Sequence, residues 1–150
     1  MRLATIMTLS VGLCLARGVA VDAAAQNPGA NSPARTTVDG VYSEAQLQRG
    51  MLTYLKRCSS CHGESLHGGE SAPALKGADF RRRWDGKTLV DLMQKVLVMP
   101  PNDPSKLTPA ESASVTAVML AANGSRAGSD ELPSGADELR QRGISWQHTQ

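Results

Sequence analysis

Two cysteines and a histidine, Cys58, Cys61 and His62, form the cluster whose types and spacing indicate a definite chemistry. In the pattern Cys-x-x-Cys-His, each thiol can form a thioether with a vinyl group of a porphyrin. The adjacent imidazole can then bind the porphyrin iron from one face. This is the attachment pattern of c-type haem, so the motif predicts one covalently attached haem c with His62 as an axial ligand.

Two other readings of the cysteine pair fit the sequence less well. A thioredoxin-like Cys-x-x-Cys opens a helix after a strand, whereas this pair closes a predicted helix. A zinc site would need His67 as a fourth ligand beside Cys58, Cys61 and His62, and four ligands crowded into one short segment make poor tetrahedral geometry.

A second axial ligand decides whether the iron transfers electrons or binds small molecules. Met99 ends a predicted helix, and Pro100 holds it in an extended conformation on a stiff loop. The remaining methionines beyond the first 25 residues lie on apolar helical stripes, where core packing is their ordinary role: Met51, Met93 and Met119. Met99 is therefore the predicted distal ligand, with His67 as the substitute.

Three helices are predicted to position these residues. The first follows Ser43, with Gln46 completing a capping box. The second ends before Pro100, and the third begins after Thr108 with Glu111 in its first turn. The apolar residues expected on the buried faces are Leu47, Met51, Tyr54, Leu55 and Cys58 in the first helix, Leu89, Leu92, Met93, Val96 and Leu97 in the second, and Val115, Val118, Met119 and Ala122 in the third.

The rest of the chain lacks helical periodicity. Residues 63–83 contain recurrent Gly and Pro and are predicted to be a long loop. No segment alternates with a period of two, so the fold class is all-α without a sheet. Aromatic residues make up 3% of the sequence. A chain this poor in large apolar side chains would gain stability from a haem inside its core.

The chain divides into four segments. Residues 1–25 have a positive start, an apolar run and an Ala-rich cleavage site, which predicts a signal peptide and an exported, soluble, periplasmic protein without a membrane span after cleavage. Residues 26–40 are predicted to be a flexible lead-in, 41–124 the domain, and 125–150 a tail that wraps it, with a short helix near 136–142.

Charge gives weaker information. The formal net charge is +2, which argues against nucleic acid as the main partner. Arg81, Arg82 and Arg83 form a run of like charge. It is either a solvated loop face or a group in which one arginine pairs a haem propionate and the others steer an acidic partner.

Several motifs together resemble class I c-type cytochromes with one haem. The matching positions are Tyr54, Cys58-x-x-Cys61-His62-Gly63, Pro73-x-Leu75-x-Gly77, Phe80, Trp84, Met99-Pro100 and Leu120-x-x-Asn123-Gly124. The tail, with Glu131-Leu132-Pro133, resembles cytochromes that accompany pyrroloquinoline-quinone alcohol dehydrogenases.

The resemblance implies a role for each of these residues. Cys58 and Cys61 would hold the haem, and His62 and Met99 would bind its iron. Pro73 would offer its carbonyl oxygen to the other ring nitrogen of His62. Two aromatic residues, Tyr54 and Trp84, would pack near the haem or its propionates. The fold implied has three main helices around the haem, the first and last crossing at Gly50.

The predicted function is electron transfer. Such a protein accepts single electrons from a periplasmic dehydrogenase, which is predicted to be a quinoprotein, and passes them to a cytochrome or oxidase. It is not an enzyme by itself, although it could be the cytochrome subunit of a dehydrogenase. The alternatives are a free shuttle between respiratory complexes, a haem sensor or small-ligand binder, and a haem peroxidase with His67 as its acid-base group.

Overall fold

The computed structural model describes residues 35–101, 103 and 105–146. The predicted signal peptide, residues 1–25, lies outside the described residues. The elements are a 3-10 turn at Thr37–Asp39 and the helices α1 Glu44–Arg57, α2 Ser59–His62, α3 Ala78–Trp84, α4 Leu89–Leu97, α5 Pro109–Ala122 and α6 Ala136–Arg140. The described part of the chain has isolated backbone bridges and no strand, which confirms the all-α fold class. None of the described helices is long and apolar enough to cross a membrane.

The three main predicted helices are α1, α4 and α5, and their N-terminal ends follow from capping residues. Thr108 and Glu111 form the predicted reciprocal capping box at α5, with the Thr108 N–H donating to Glu111 Oε2 at 2.8 Å. At α1, Ser43 Oγ accepts from the Gln46 N–H at 3.1 Å. The Gln46 side chain does not complete a box there, because it binds the tail instead.

Three local expectations were wrong. The predicted loop over residues 63–83 contains most of helix α3, whose Phe80 is buried. Leu55 was expected on the buried face of α1, yet 45% of it is exposed. Ala122, expected in the stripe of α5, is also exposed. Helix α3 was missed because a helix of seven residues carries too few apolar positions to show a helical period of hydrophobicity.

Helix α5 is the centre of the fold. Nine consecutive residues, 112–120, are buried, so the helix is covered on every side rather than along one stripe. It packs mainly against α1 and also against α4. Gly50 lies where α1 crosses α5, and a Cβ there would overlap the carbonyl oxygen of Ser114 and lie 3.0 Å from Val118 Cγ2. The absence of a side chain therefore sets how closely the two helices approach.

The segments on either side of the helical domain pack against each other. Residues 35–40, part of the segment expected to be a flexible lead-in, are packed in the structure: the Thr37 side chain is buried, and its N–H donates to the Gly143 oxygen at 3.1 Å. The Tyr42 hydroxyl donates to the Ser125 oxygen at 2.6 Å. In the tail, helix α6 packs against α4. The packed part of the described chain thus includes residues 35–40.

The tail is also fixed to α1 by a buried pair of hydrogen bonds. Gln46 Nε2 donates to the Leu132 oxygen at 2.9 Å, and the Leu132 N–H donates to Gln46 Oε1 at 2.7 Å. Next to this pair, Arg49 and Glu131 form an ion pair at 2.5 Å. The first half of α1 is therefore held by residues 131–132 of the tail.

We expect Gly50→Ala to lower the free energy of unfolding by about 1–3 kcal/mol, the range for overpacked cores. The added methyl group must separate two backbones, and this cost exceeds the gain of about 1 kcal/mol in helix propensity. Chemical denaturation of both proteins measures the difference. Gly135→Ala is the matched control, since no atom lies within 4 Å of a Cβ at residue 135. A Gly50→Ala variant as stable as this control would contradict the close crossing.

Candidate haem site

The motif lies at the junction between α1 and α2. Cys58 directly follows the last residue of α1; its N–H donates to the Tyr54 oxygen at 2.8 Å, and its own oxygen accepts from the N–H of His62 at 3.0 Å. Both Cys58 and Cys61 are free thiols; the first is buried and the second exposed. The helical turn thus places the Cys58 thiol at the edge of the core and the Cys61 thiol at the surface. Both cysteines lie within four residues of His62 along the chain.

Burial raises the pKa of the Cys58 thiol, an effect that neighbouring Arg57 opposes and Cys61 reinforces. Among the described residues, no group of three or more His, Cys, Asp or Glu side chains is arranged to hold a metal ion. The zinc reading, which needed His67 beside the motif, gains no support from this geometry.

The ring of His62 is oriented by Pro73. Nδ1 of His62 lies 2.8 Å from the Pro73 carbonyl oxygen. A carbonyl oxygen can only accept, so Nδ1 carries the proton and donates it to this bond. In the neutral ring this leaves the lone pair on Nε2, the nitrogen that can bind a metal ion. The residue assigned by resemblance to the proximal side therefore has the tautomer that iron ligation needs.

A short loop carries Pro73 back to the histidine. The Gly68 N–H donates to the His62 oxygen at 2.8 Å, and the Leu75 N–H donates to the oxygen of buried Leu66 at 2.9 Å. His67 lies in this loop, exposed, with Nδ1 2.9 Å from Ser65 Oγ. Within this loop Pro73 is the residue that contacts Nδ1 of His62. The hydrogen bond of His67 is to Ser65.

Tyr54 spans the motif. Its side chain is fully buried, and its hydroxyl donates to the Gly63 oxygen at 2.6 Å. The bond joins the helix before the two cysteines to the residue that follows His62. Burial, with a smaller contribution from Cys58, raises the pKa of Tyr54 to about 12. Tyr54 therefore stays a neutral donor at physiological pH.

Met99 lies just beyond α4. Its N–H donates to the Val96 oxygen at 3.0 Å, and 38% of the residue is exposed, as is 53% of neighbouring Val98. By contrast Met93 and Met119 are buried in the core, and Met51 is partly buried against it. Met99 is thus the described methionine whose thioether is not committed to core packing.

Trp84 ends α3 and is partly buried. Its ring centroid lies 6.2 Å from that of Phe80, and Lys87 Nζ lies 5.9 Å from its ring centroid. Nearby, Trp146 of the tail donates its Nε1–H to the Arg81 oxygen at 3.0 Å. The arginine run is therefore part of a packed helix, with Arg82 paired to Asp79.

The predicted site residues fall into one connected unit and two separate positions. Tyr54, Cys58, His62 and Pro73 are joined through the hydrogen bonds described above, and the Cys61 N–H donates to the Cys58 oxygen at 3.2 Å. Met99 and Trp84 come from the loop after α4 and the end of α3. Sequence reasoning missed the contact between Arg57 and Asp103. No pattern in the sequence pairs these two residues; only the position of Arg57 directly before Cys58 singles it out.

The family comparison is consistent with this geometry. Residues 45–118, just under half of the chain, match the family model described as cytochrome c oxidase, cbb3-type, subunit III. Together with the helical fold, the match supports a c-type cytochrome domain of class I over residues 45–118. Such a domain is an electron-transfer haem protein and implies covalently bound haem c. No curated protein and no solved structure gives a significant match to the chain.

The donor set of the described residues fits haem c. Two free thiols with the required spacing, an imidazole whose Nδ1 is occupied by the Pro73 carbonyl, and the side chain of a partly exposed methionine are the four groups that such a haem uses. Cys58 and Cys61 would hold the haem, and His62 and Met99 would bind its iron.

We expect both tyrosines of the chain to ionise near pH 12 in the folded protein. Burial raises the pKa of Tyr42 as well as that of Tyr54 from 10 to about 12. Because the folded pKa values exceed the unfolded value, their contribution to stability is complete below pH 10 and is lost as the pH rises towards 12. Ultraviolet difference titration of tyrosinate follows the ionisation.

The control for this titration is Tyr54→Phe, which should halve the amplitude without moving the remaining midpoint to pH 10. The same titration in denaturant should show both groups near pH 10. Tyrosinate forming near pH 10 while circular dichroism still reports a folded protein would contradict the burial of these hydroxyl groups.

Proposed function

We propose that this chain is an exported cytochrome with a single haem c, attached through Cys58 and Cys61 and ligated by His62 and Met99. It carries single electrons from a dehydrogenase towards a terminal acceptor. The observation that supports this most directly is the bond from His62 Nδ1 to the Pro73 oxygen. Because Nδ1 is engaged by Pro73, Nε2 is the ring nitrogen left to bind iron, next to the two cysteines of the motif, which is the arrangement that a c-type haem requires.

The bound haem would supply the one-electron couple between ferric and ferrous iron. The protein residues hold and orient it. Pro73 fixes the ring plane of His62 and increases the basicity of Nε2. Tyr54 fixes the chain on both sides of the motif, and a thioether from Met99 favours ferrous iron more than a second imidazole would. Trp84 is proposed to pack near the haem or its propionates.

The proposed partners are redox proteins. The resemblance of the tail to cytochromes of pyrroloquinoline-quinone alcohol dehydrogenases favours a quinoprotein as electron donor. The matched family model is named after a subunit of a terminal oxidase, which favours an oxidase as acceptor. A free shuttle between respiratory complexes would use the same site chemistry and differ only in its partners. On any of these readings the chain has no acid-base or nucleophilic group acting on a substrate.

A sensor or a peroxidase would need an open or exchangeable iron site. We expect instead that wild-type protein is closed: the reduced form does not bind carbon monoxide, and the oxidised form shows the methionine–iron charge-transfer band. Met99→Leu keeps an apolar side chain but removes the sulfur, so the band should be lost completely and carbon monoxide should bind. Absorption spectroscopy of the exported, haem-loaded protein measures both.

Met51→Leu is the matched control, because Met51 is a partly buried methionine on α1 that is not one of the proposed ligands. It should retain the band and exclude carbon monoxide. A wild type that binds carbon monoxide readily, or a Met99→Leu spectrum identical to wild type, would reject Met99 as the ligand and leave the sensor or peroxidase as the better function.

The proposed electron donor can be tested separately. Oxidised protein mixed with a purified quinoprotein alcohol dehydrogenase and its alcohol should be reduced in a stopped-flow experiment, at a rate that falls with ionic strength if charge steers docking. Dehydrogenase without alcohol is the control. Reduction no faster than in that control would reject this class of donor while leaving the haem ligands unaffected.

A further inference from the structure

Arg57, the last residue of α1, reaches across to the segment that follows Met99. Its Nη2 nitrogen donates to Asp103 Oδ2 at 2.7 Å and also contacts the backbone oxygen of Ser105. The hydroxyl oxygen of Ser105 lies 3.3 Å from the same nitrogen. A single guanidinium thus binds a carboxylate and a main-chain carbonyl from one loop, which are strong, charge-assisted contacts.

The acceptor side of this contact is itself organised. Asp103 Oδ1 accepts from the Ser105 N–H at 2.8 Å and from the Ser105 hydroxyl at 2.7 Å. These bonds from Ser105, with a smaller contribution from Arg57, lower the pKa of Asp103, so its side chain is a carboxylate at neutral pH. The two oxygens of the Asp103 carboxylate therefore have different partners. Oδ1 accepts the bonds that shape the loop, and Oδ2 accepts the bond from Arg57.

Arg57 and Asp103 are also the least exposed of the ion pairs formed by the described residues, with side chains 21% and 25% exposed. In the other ion pairs at least one partner is more than half exposed. Exposed pairs contribute little because water and salt screen them. The partly buried pair between Arg57 and Asp103 is the one best able to restrain the backbone.

The restraint joins the two segments of the chain that carry the proposed haem ligands. Arg57 directly precedes Cys58, and Asp103 lies four residues after Met99. The loop between α4 and α5 is fixed at its start by the bond from the Met99 N–H to the Val96 oxygen and at its end by buried Leu107. Arg57 fixes it between these points, and it does so from the helix that carries the cysteines.

We propose that Arg57 is a positioning residue that ties the Met99 loop to the helix bearing Cys58, and so keeps the iron closed to external ligands. This inference rests on the proposed function, in which Met99 is the distal ligand. Arg57 touches neither haem nor iron in this role. It acts by making the loop costly to displace, since opening the loop would break its contacts to Asp103 and Ser105.

The test uses the full, haem-loaded protein and the binding of imidazole to its oxidised form, which requires Met99 to leave the iron. Arg57→Gln and Asp103→Ala should each bind imidazole with a dissociation constant about tenfold lower than that of wild type. This is the change expected for loss of hydrogen bonds to a charged group. The double variant should bind imidazole little more tightly than Asp103→Ala alone, because Asp103→Ala already removes the carboxylate that Arg57 contacts.

Arg49→Gln is the matched control. Arg49 lies on the same helix and also forms an ion pair, but with Glu131 of the tail rather than with the Met99 loop. It should leave imidazole binding unchanged. If Arg57→Gln fails to attach haem, Asp103→Ala tests the same contact from the loop side, away from the motif.

Two results would overturn the proposal: imidazole binding by Arg57→Gln and Asp103→Ala that equals that of wild type, or an increase that Arg49→Gln reproduces. Both leave the proposed function intact if wild type still shows the methionine–iron band. Failure of the proposed function has a different signature, since wild type and Met99→Leu would then bind imidazole equally well.

Discussion

The close crossing of α1 and α5 at Gly50 is the constraint on which the site depends. With no side chain at residue 50, the backbone of α1 approaches the Ser114 carbonyl directly, and α5 beneath it is buried over nine consecutive residues. A helix pressed against such a covered neighbour has little freedom to rotate or slide, because packed interiors resist small displacements. The direction in which α1 ends, and hence the placement of Cys58 and His62, follows from this contact.

From that end, polar contacts rather than apolar packing fix the site. Tyr54 binds the residue after the motif, Pro73 orients His62, and Arg57 holds the loop beyond Met99. The first two contacts join α1 and α2 to the loop between α2 and α3, and the third joins α1 to the loop after Met99. The segments that carry the proposed ligands are thus held by three contacts. A redox site benefits from groups whose positions are set before the charge on the metal changes, because little structure then needs to reorganise.

The sequence predicted the parts of this arrangement that repeat or have a known chemical spacing. Capping residues and apolar periods located α1, α4 and α5, and the Cys-x-x-Cys-His motif located the candidate site. Long-range polar pairs could not be predicted, because nothing local relates Gln46 to Leu132 or Arg57 to Asp103. Short α3 was missed for another reason: only Phe80 and Trp84 mark its inner face, and Gly77 offers no side chain as a cap.

Helix α1 shows why hydrophobic periodicity describes this protein incompletely. Gln46, Gly50, Tyr54 and Arg57 recur every three or four residues and therefore share one face of α1. They contact, in order, the tail, α5, the loop after His62 and the loop after Met99. Only Tyr54 among them would be chosen by an apolar pattern, while Leu55, which such a pattern does choose, is largely exposed. The face of α1 that organises the domain is thus defined by hydrogen bonding and close backbone approach, and each of its residues contacts a different part of the chain.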